Sequence, residues 1–195
     1  MPKGGRFKVP FRRRREGVTN YYKRRKMILS GQPRFVVRIT NRYVIAQVVK
    51  ASPKGDLTLV SAHSGELAKY GWKGGTKNTP AAYLVGLLIG LRARNQGISN
   101  AILDIGLRSA STGARVFATA KGAIDAGLSI SLGENVVPDE QRIKGLHIAE
   151  YYEKLDEEGL AEGKFSKYLK RGLKPSEICK NFEETRKILL QGLIN

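Results

Sequence analysis

The chain has 195 residues, 41% of them apolar, enough for a core of ordinary domain size together with extensions. Its 35 basic and 17 acidic residues give a formal charge of +18 and a pI near 10.2, which points to a polyanionic partner. No apolar run approaches the roughly 18 residues of a membrane-spanning helix, and the charged N-terminus is unlike a secretion signal, so a soluble, intracellular protein is expected.

One cysteine, Cys179, cannot form an internal disulfide, and with only His63 and His147 beside it a zinc site is not expected. Cys179 reads as a small buried or half-buried apolar residue.

The charge is uneven along the chain. Residues 1–30 carry 11 basic and 1 acidic residue (+10), residues 31–77 carry 8 and 2 (+6), residues 78–138 carry 5 and 3 (+2), and residues 139–195 carry 11 and 11 (0). Residues 1–32 are too rich in charge, Gly and Pro to fold alone and read as an arm, with a helical piece from Thr19 to Leu29. Within the arm, FRRRREGVTNYYKRRKM (Phe11 to Met27) sets eight Arg and Lys against one acid, Glu16. A solubilising tail or an import signal has a similar composition. Two features favour contact with nucleic acid. Arginine dominates the first cluster, and its planar fork holds phosphate bidentately. Aromatic residues are interleaved (Phe7, Phe11, Tyr21, Tyr22), and ring faces stack on unpaired bases.

Residues 33–138 read as an α/β core. RFVVRIT and YVIAQVV are β-branched runs parted by Asn41-Arg42, and DLTLVSA follows the turn SPKGD, so three antiparallel neighbours are expected. In NTPAAYLVGLLIGLRARNQG, Thr79 suits an N-cap, Pro80 the first helical position and Gly97 the C-terminal cap, while Leu84, Leu87, Leu88 and Leu91 keep the spacing of a buried helix face. AILDIG reads as a fourth strand. STGARVFATAKGAIDAG reads as a second helix, with Val116, Ala120 and Ile124 on one face and Gly127 ending it. LSISL reads as a last strand. The order βββαβαβ predicts a mixed sheet packed with helices.

Residues 139–195 form a helical extension in which GLHIAEYYEKLDEEG and PSEICKNFEETRKILLQG are amphipathic, the second opening with Ser176 as N-cap and Glu177 in its first turn. Ile178, Phe182, Ile188 and Leu189 give it a narrow apolar stripe, which needs either the core or another molecule to dock on. Its balanced charge suits protein contact better than RNA contact.

Two loops invite functional readings. KYGWKGGTKNTP, Lys69 to Pro80, leads glycines and lysines to a helix start, where free amides attract anions, but it does not match the Walker A pattern. A flexible loop with Trp72 capping the core is the alternative to RNA-backbone contact. GLRSASTGAR, Gly106 to Arg115, offers Arg108, Ser109 and Arg115, with Ser111 or Thr112 as a helix cap.

The strand order also describes ribonuclease-H-like nucleases, whose two-metal chemistry needs several converging carboxylates. The first strand and first helix contain none, and Asp104 stands alone on the fourth strand. Neither histidine has the context of a catalytic triad. An enzyme is not expected.

KVPFRRRREGVTNYYKR, SAHSGELAKYGWKGGTKNTPAAYLVGLLIGLRA, LDIGLRSASTGARVFATAKGAIDAGL and RIKGLHIAEYY together closely resemble large-subunit ribosomal proteins of the L-eighteen family in the archaeal form. The resemblance runs from about Lys8 to Tyr152 and loosens over the final forty or so residues. It implies a fold similar to a small-subunit ribosomal protein with a ribonuclease-H-like motif and no catalytic metal. It also implies cytoplasmic ribosomes as the location, 5S rRNA as the partner, attachment of that RNA to the large subunit in the central protuberance, and further contacts to large-subunit rRNA and neighbouring proteins. In the family the basic arm threads along RNA, which implies contacts by Arg6, Lys8, Arg12, Arg13, Arg14, Arg15, Tyr21, Tyr22, Lys23, Arg24 and Arg25. Further contacts are expected around His63, Ser64, Trp72, Lys73 and the segment ending at His147.

Overall fold

Residues 4–192 are described in a computed structural model of the chain. Two helices precede the sheet: α1 (Arg12–Arg15), a single turn, and α2 (Tyr21–Leu29). The Asn20 side chain caps α2 by accepting from the amides of Tyr22 and Lys23, both at 3.1 Å, so the helix starts two residues later than its composition suggests. Neither helix buries a residue.

Strands β1 (Arg34–Ile39), β2 (Val44–Ser52) and β3 (Gly55–His63) pair antiparallel as the short spacings require. Their odd-numbered residues in β1 (Phe35, Val37, Ile39) and the facing Val44, Ala46, Val48, Val60 and Ala62 all point into the core. On the opposite face β1 presents Arg34, Val36 and Arg38. A 3-10 helix, Glu66–Tyr70, leads into α3 (Thr79–Asn95), then β4 (Ile102–Asp104) and α4 (Arg115–Asp125). β4 joins β1 in parallel, giving a four-stranded mixed sheet in the order β3-β2-β1-β4.

Helix α3 is buried on nearly every side, as expected of a helix that is apolar all round. Its N-cap is Asn78, whose side-chain oxygen accepts from the Ala81 amide at 2.9 Å, one residue before the expected Thr79. Gly97 follows the helix with φ +72°, the left-handed end that glycine permits. Two glycines let α3 and α4 touch backbone to backbone. A Cβ on Gly86 would lie 1.9 Å from the Thr119 carbonyl oxygen, and one on Gly122 would lie 2.1 Å from that of Tyr83.

Two expectations in this region need correction. Neither Ser111 nor Thr112 caps α4: the N-cap is Ala114, without a side-chain bond, because Gly113 at φ +70° sets the start of the helix beyond their reach. LSISL is not a strand but a single parallel bridge, Asn100 to Ser129. Leu128 and Ile130 are buried as the alternation demands. β4 is only three residues long, however, and its last member, Asp104, accepts from the Gly106 amide at 2.9 Å and turns the chain away from the ladder.

The C-terminal region forms α5 (Glu140–Lys144), α6 (Leu146–Glu157), α7 (Ala161–Leu169) and α8 (Ile178–Gly192). A 3-10 turn, Pro175–Glu177, precedes α8 and has Lys174, not Ser176, at its N-cap position. The α8 stripe docks on the core itself. Ile178, Phe182 and Leu189 are buried and the Phe182 ring lies 5.6 Å from that of Tyr83. The fourth member of the stripe is Thr185, fully buried with its hydroxyl donating to the Asn181 carbonyl at 2.8 Å, while Ile188 is exposed. Phe165 of α7 packs among Tyr151, Tyr152 and Tyr168 in a smaller satellite cluster.

Candidate nucleic-acid interface

The arm presents most of its cations without acidic partners. Arg6, Lys8, Arg12, Arg13, Arg14 and Arg15 are exposed, and the one acidic contact among them is a 3.7 Å Arg12–Glu16 pair between exposed groups, worth little in water. Arg13 donates from Nε to the Thr19 hydroxyl at 2.9 Å, which folds the first cluster back toward α2. Lys23 and Arg25 are exposed and without acidic partners among the described residues.

The tyrosine pair divides. Tyr21 is half-buried, its ring 5.6 Å from that of Phe11. Tyr22 is 70% exposed, with the Arg14 guanidinium 5.1 Å from its ring centre.

Arg24 plays another part. Its guanidinium bonds Asp56 at 2.8 Å and opens a relay across the outer face of the sheet: Asp56 also binds Arg34 at 2.7 Å, Arg34 binds Asp104 at 2.9 Å, and Asp104 binds Arg38 at 3.0 Å. Arg34 and Asp104 are buried. Burial alone would raise the Asp104 pKa, but the charge and hydrogen bond of Arg38, the Gly106 amide and the Arg34 hydrogen bond outweigh it and hold this carboxyl below its usual range. The acid that stood alone in the sequence is therefore a structural anchor between two arginines. A cavity of about 630 Å³ lies between arm and sheet along this relay, bordered by Arg13, Lys23, Arg24, Arg34, Arg38 and Arg108.

The glycine-rich loop is tied down, so of the flexible-loop alternative only the capping of the core by Trp72 holds. Asn181 of α8 accepts from the Lys73 amide at 3.1 Å and donates to the Gly71 carbonyl at 3.0 Å. Arg171 donates to the Gly74 carbonyl at 2.6 Å, and the Thr76 hydroxyl donates to the Arg42 carbonyl at 2.7 Å. Trp72 is 4% exposed and its indole donates to the Gly75 carbonyl at 3.1 Å, so it closes the core; Lys73 beside it is exposed. Ser64 is likewise enclosed, its hydroxyl accepting from the Val44 amide at 3.0 Å. These two side chains shape the loops that carry His63 and Lys73 and have almost no surface of their own. His63 is half-buried against Tyr43, with ring centres 4.6 Å apart, and its Nδ1 accepts from the Gly65 amide at 3.0 Å, which leaves Nε2 to carry the proton of the neutral ring.

His147 lies elsewhere, half-buried at the start of α6. Burial, and then the neighbouring Arg142, push its pKa below the ordinary histidine range, against a smaller opposing pull from Glu150, which favours the neutral ring. It lines a second cavity, of about 640 Å³, together with Arg108, Arg115 and Arg142. Sequence reasoning named His147 and the segment ending there but did not single out Arg142, four residues before the start of α6. Arg34 and Arg38 were passed over as strand residues.

A family model described as ribosomal large subunit proteins 60S L5 and 50S L18 matches residues 5–100 and 93–132. The large ribosomal subunit protein uL18 of Caldivirga maquilingensis is 54% identical over 194 residues, covering 98% of this chain and 94% of its own. That of Methanothermobacter thermautotrophicus is 57% identical over 187 residues, covering 96% and 97%. That of Thermofilum pendens is 50% identical over 195 residues, covering 99% and 100%. Coverage this complete takes in most of the C-terminal helices, which the family model does not reach. The chain belongs to the uL18 family of large ribosomal subunit proteins, structural and non-enzymatic, with archaeal homologues throughout its length.

Proposed function

We propose that the chain binds 5S rRNA and attaches it to the large subunit in the central protuberance, touching large-subunit rRNA and neighbouring proteins as well. The observation that carries this reading is the arm: a run of exposed cations with almost no acidic partners, preceding a folded body whose surface charge is far more balanced. Cations without internal partners are free to displace counterions from phosphate. Lys73 and His63 extend the contact surface, Tyr22 offers an exposed ring, and Arg24 is the residue that ties the arm to the sheet.

The strand order β3-β2-β1-β4, with β4 parallel to β1, supports a ribonuclease-H-like arrangement in which Asp104 serves as an anchor. The balanced charge of the C-terminal helices suits them to contact with protein neighbours.

Titration of 5S rRNA at several salt concentrations tests the reading. If six of the arm's cations meet phosphates, affinity falls by on the order of a thousandfold between 50 and 200 mM salt, borrowing the scale of duplex DNA. A flat salt response, or unchanged binding after removal of residues 1–30, would overturn it.

A further inference from the structure

The second cavity differs from the first in its charge balance. Under the arm, Asp56 and Asp104 answer the arginines. The cavity of about 640 Å³ around Arg108, Ser109, Ser111, Arg115, Arg142 and His147 has three guanidinium groups and, with Thr79, three hydroxyls in its lining, and no carboxylate among the residues that line it. None of the three arginines has an ion pair among the described residues.

Two of them are preorganised by the backbone. Arg108 donates to the Ile39 carbonyl, and Arg115 donates to the Lys77 carbonyl at 2.9 Å. A guanidinium has five N–H groups, so one such bond fixes the fork and leaves the others free to meet an anion. Burial, and then the charge of Arg108, lower the pKa of Arg115, which marks two like charges held together without a counter-charge.

Helix α4 begins at the same cavity without a side-chain cap, so its first amides add partial positive charge there. His147 lines the cavity, and its buried Nδ1 has no hydrogen-bond partner among the described residues. Self-repelling cations, an uncapped helix start and a ring nitrogen unpartnered among the described residues gather around one cavity, a combination whose chemistry suits an anionic group.

We propose that this cavity is a second RNA-backbone site, taking a phosphodiester of the rRNA strand separately from the arm. The inference rests on the reading of the chain as an RNA-binding protein and adds the place where the body itself grips. Arg108 and Ile39 border both cavities, so a strand held under the arm continues into the second one without leaving basic surface. A phosphate there completes the hydrogen bonding of the forks and neutralises the repulsion between them. The arm and this cavity then act as two linked attachments, each raising the effective concentration of RNA at the other.

The test uses the full chain with Arg142→Gln, which removes a side chain without an ion pair among the described residues, and Arg108→Gln/Arg142→Gln, with melting curves to establish that both fold. Each is titrated with 5S rRNA and with large-subunit rRNA fragments over a salt series. Loss of one phosphate contact lowers the slope of log affinity against log salt by about one, and loss of two by about two, with an affinity loss of roughly tenfold per contact. Ultraviolet crosslinking followed by mass spectrometry should place nucleotides on peptides spanning 106–116 or 142–148 as well as on the arm.

Unchanged slopes with crosslinks confined to residues 1–30 overturn the inference while leaving the RNA-binding reading intact. Crosslinks from the cavity to an acidic protein neighbour instead of RNA also overturn it. Failure of the unaltered chain to bind RNA with any salt dependence overturns the reading itself, and the inference with it.

Discussion

The two ends of the chain both fold into helices and differ in what those helices keep for themselves. Helix α8 turns Ile178, Phe182, Thr185 and Leu189 into the core and uses Asn181 to clasp the glycine-rich loop. Helix α2 buries nothing, and its neighbour α1 is four consecutive arginines. A helix without an apolar face has little tertiary packing to hold it. What keeps α2 in place is a handful of contacts: the Asn20 cap, the Thr19–Arg13 bond, the packing of Tyr21 on Phe11 and the ion pair from Arg24 to Asp56. The C-terminal region is therefore held by the fold, whereas the arm is tethered at a few points and its remaining bonding capacity faces outward. Charge balance alone hinted at this division; burial gives it a physical cause.

The widest separation between the two ends is expected from Phe182→Ala. Removing this buried ring from between α8 and Tyr83 should cost about 3–5 kcal/mol of stability, read as a lowered denaturant midpoint. Under conditions where the variant remains folded, RNA affinity should change less than twofold, because the arm makes no contact with that ring. An affinity loss as large as that of the arm deletion would break the comparison, showing that the two ends work as one unit.

Asp104→Asn probes the ground between them. Breaking a buried pair by removing one partner costs about 3–5 kcal/mol, and sharing the load with Asp56 through Arg34 places the expected loss at about 3 kcal/mol. The sign of the pH dependence follows from the depressed carboxyl. The folded state favours the ionised form, so this stabilisation is fully present above the unfolded pKa of about 4 and is lost as pH falls through the lower folded value. Equilibrium unfolding between pH 2 and 7 should show the unaltered protein losing stability on acidification more steeply than the variant. Parallel curves would remove Asp104 from the role of anchor.

Much of the fold was legible because its signals are local. Alternating β-branched residues and spacings of a few residues fix three antiparallel strands, and a long apolar run beginning with Pro80 fixes α3. Boundaries escaped where adjacent residues compete for one role: Asn78 and Thr79 are both capable caps beside the same proline. Helix α7 was missed because the large apolar or aromatic residues of AEGKFSKYL are a single triplet, Phe165, Tyr168 and Leu169, too short a run to set a period.

Long-range facts left no local trace. Gly86 and Gly122 look like weak helix residues until α3 and α4 are seen in backbone contact, and Arg34 meets Asp104 across 70 positions. At the site, charge density made the arm visible, but the enclosure of Ser64 and Trp72 and the placing of Arg142 and Arg108 around one cavity depend on the tertiary arrangement.

The smallest expected effect sharpens the comparison at a single residue pair. Tyr21 and Tyr22 are adjacent and chemically identical, so sequence offers no reason to separate them. Tyr21 spends its ring against Phe11, an internal contact of the kind α8 makes throughout; Tyr22 leaves most of its ring to solvent. Stacking of an aromatic side chain on a base contributes about 1–3 kcal/mol. Tyr22→Ala should therefore weaken 5S rRNA binding by roughly five- to a hundredfold, with Tyr22→Phe retaining most of the affinity because the stacking face survives. Tyr21→Ala should weaken binding less and act through the shape of the arm, seen as reduced helicity of the free protein. Equal losses for Tyr22→Ala and Tyr22→Phe would assign the contact to the hydroxyl, and a larger loss at Tyr21 would mean that the arm unpacks Phe11 to bind, so that the face it hides when free is the one it uses.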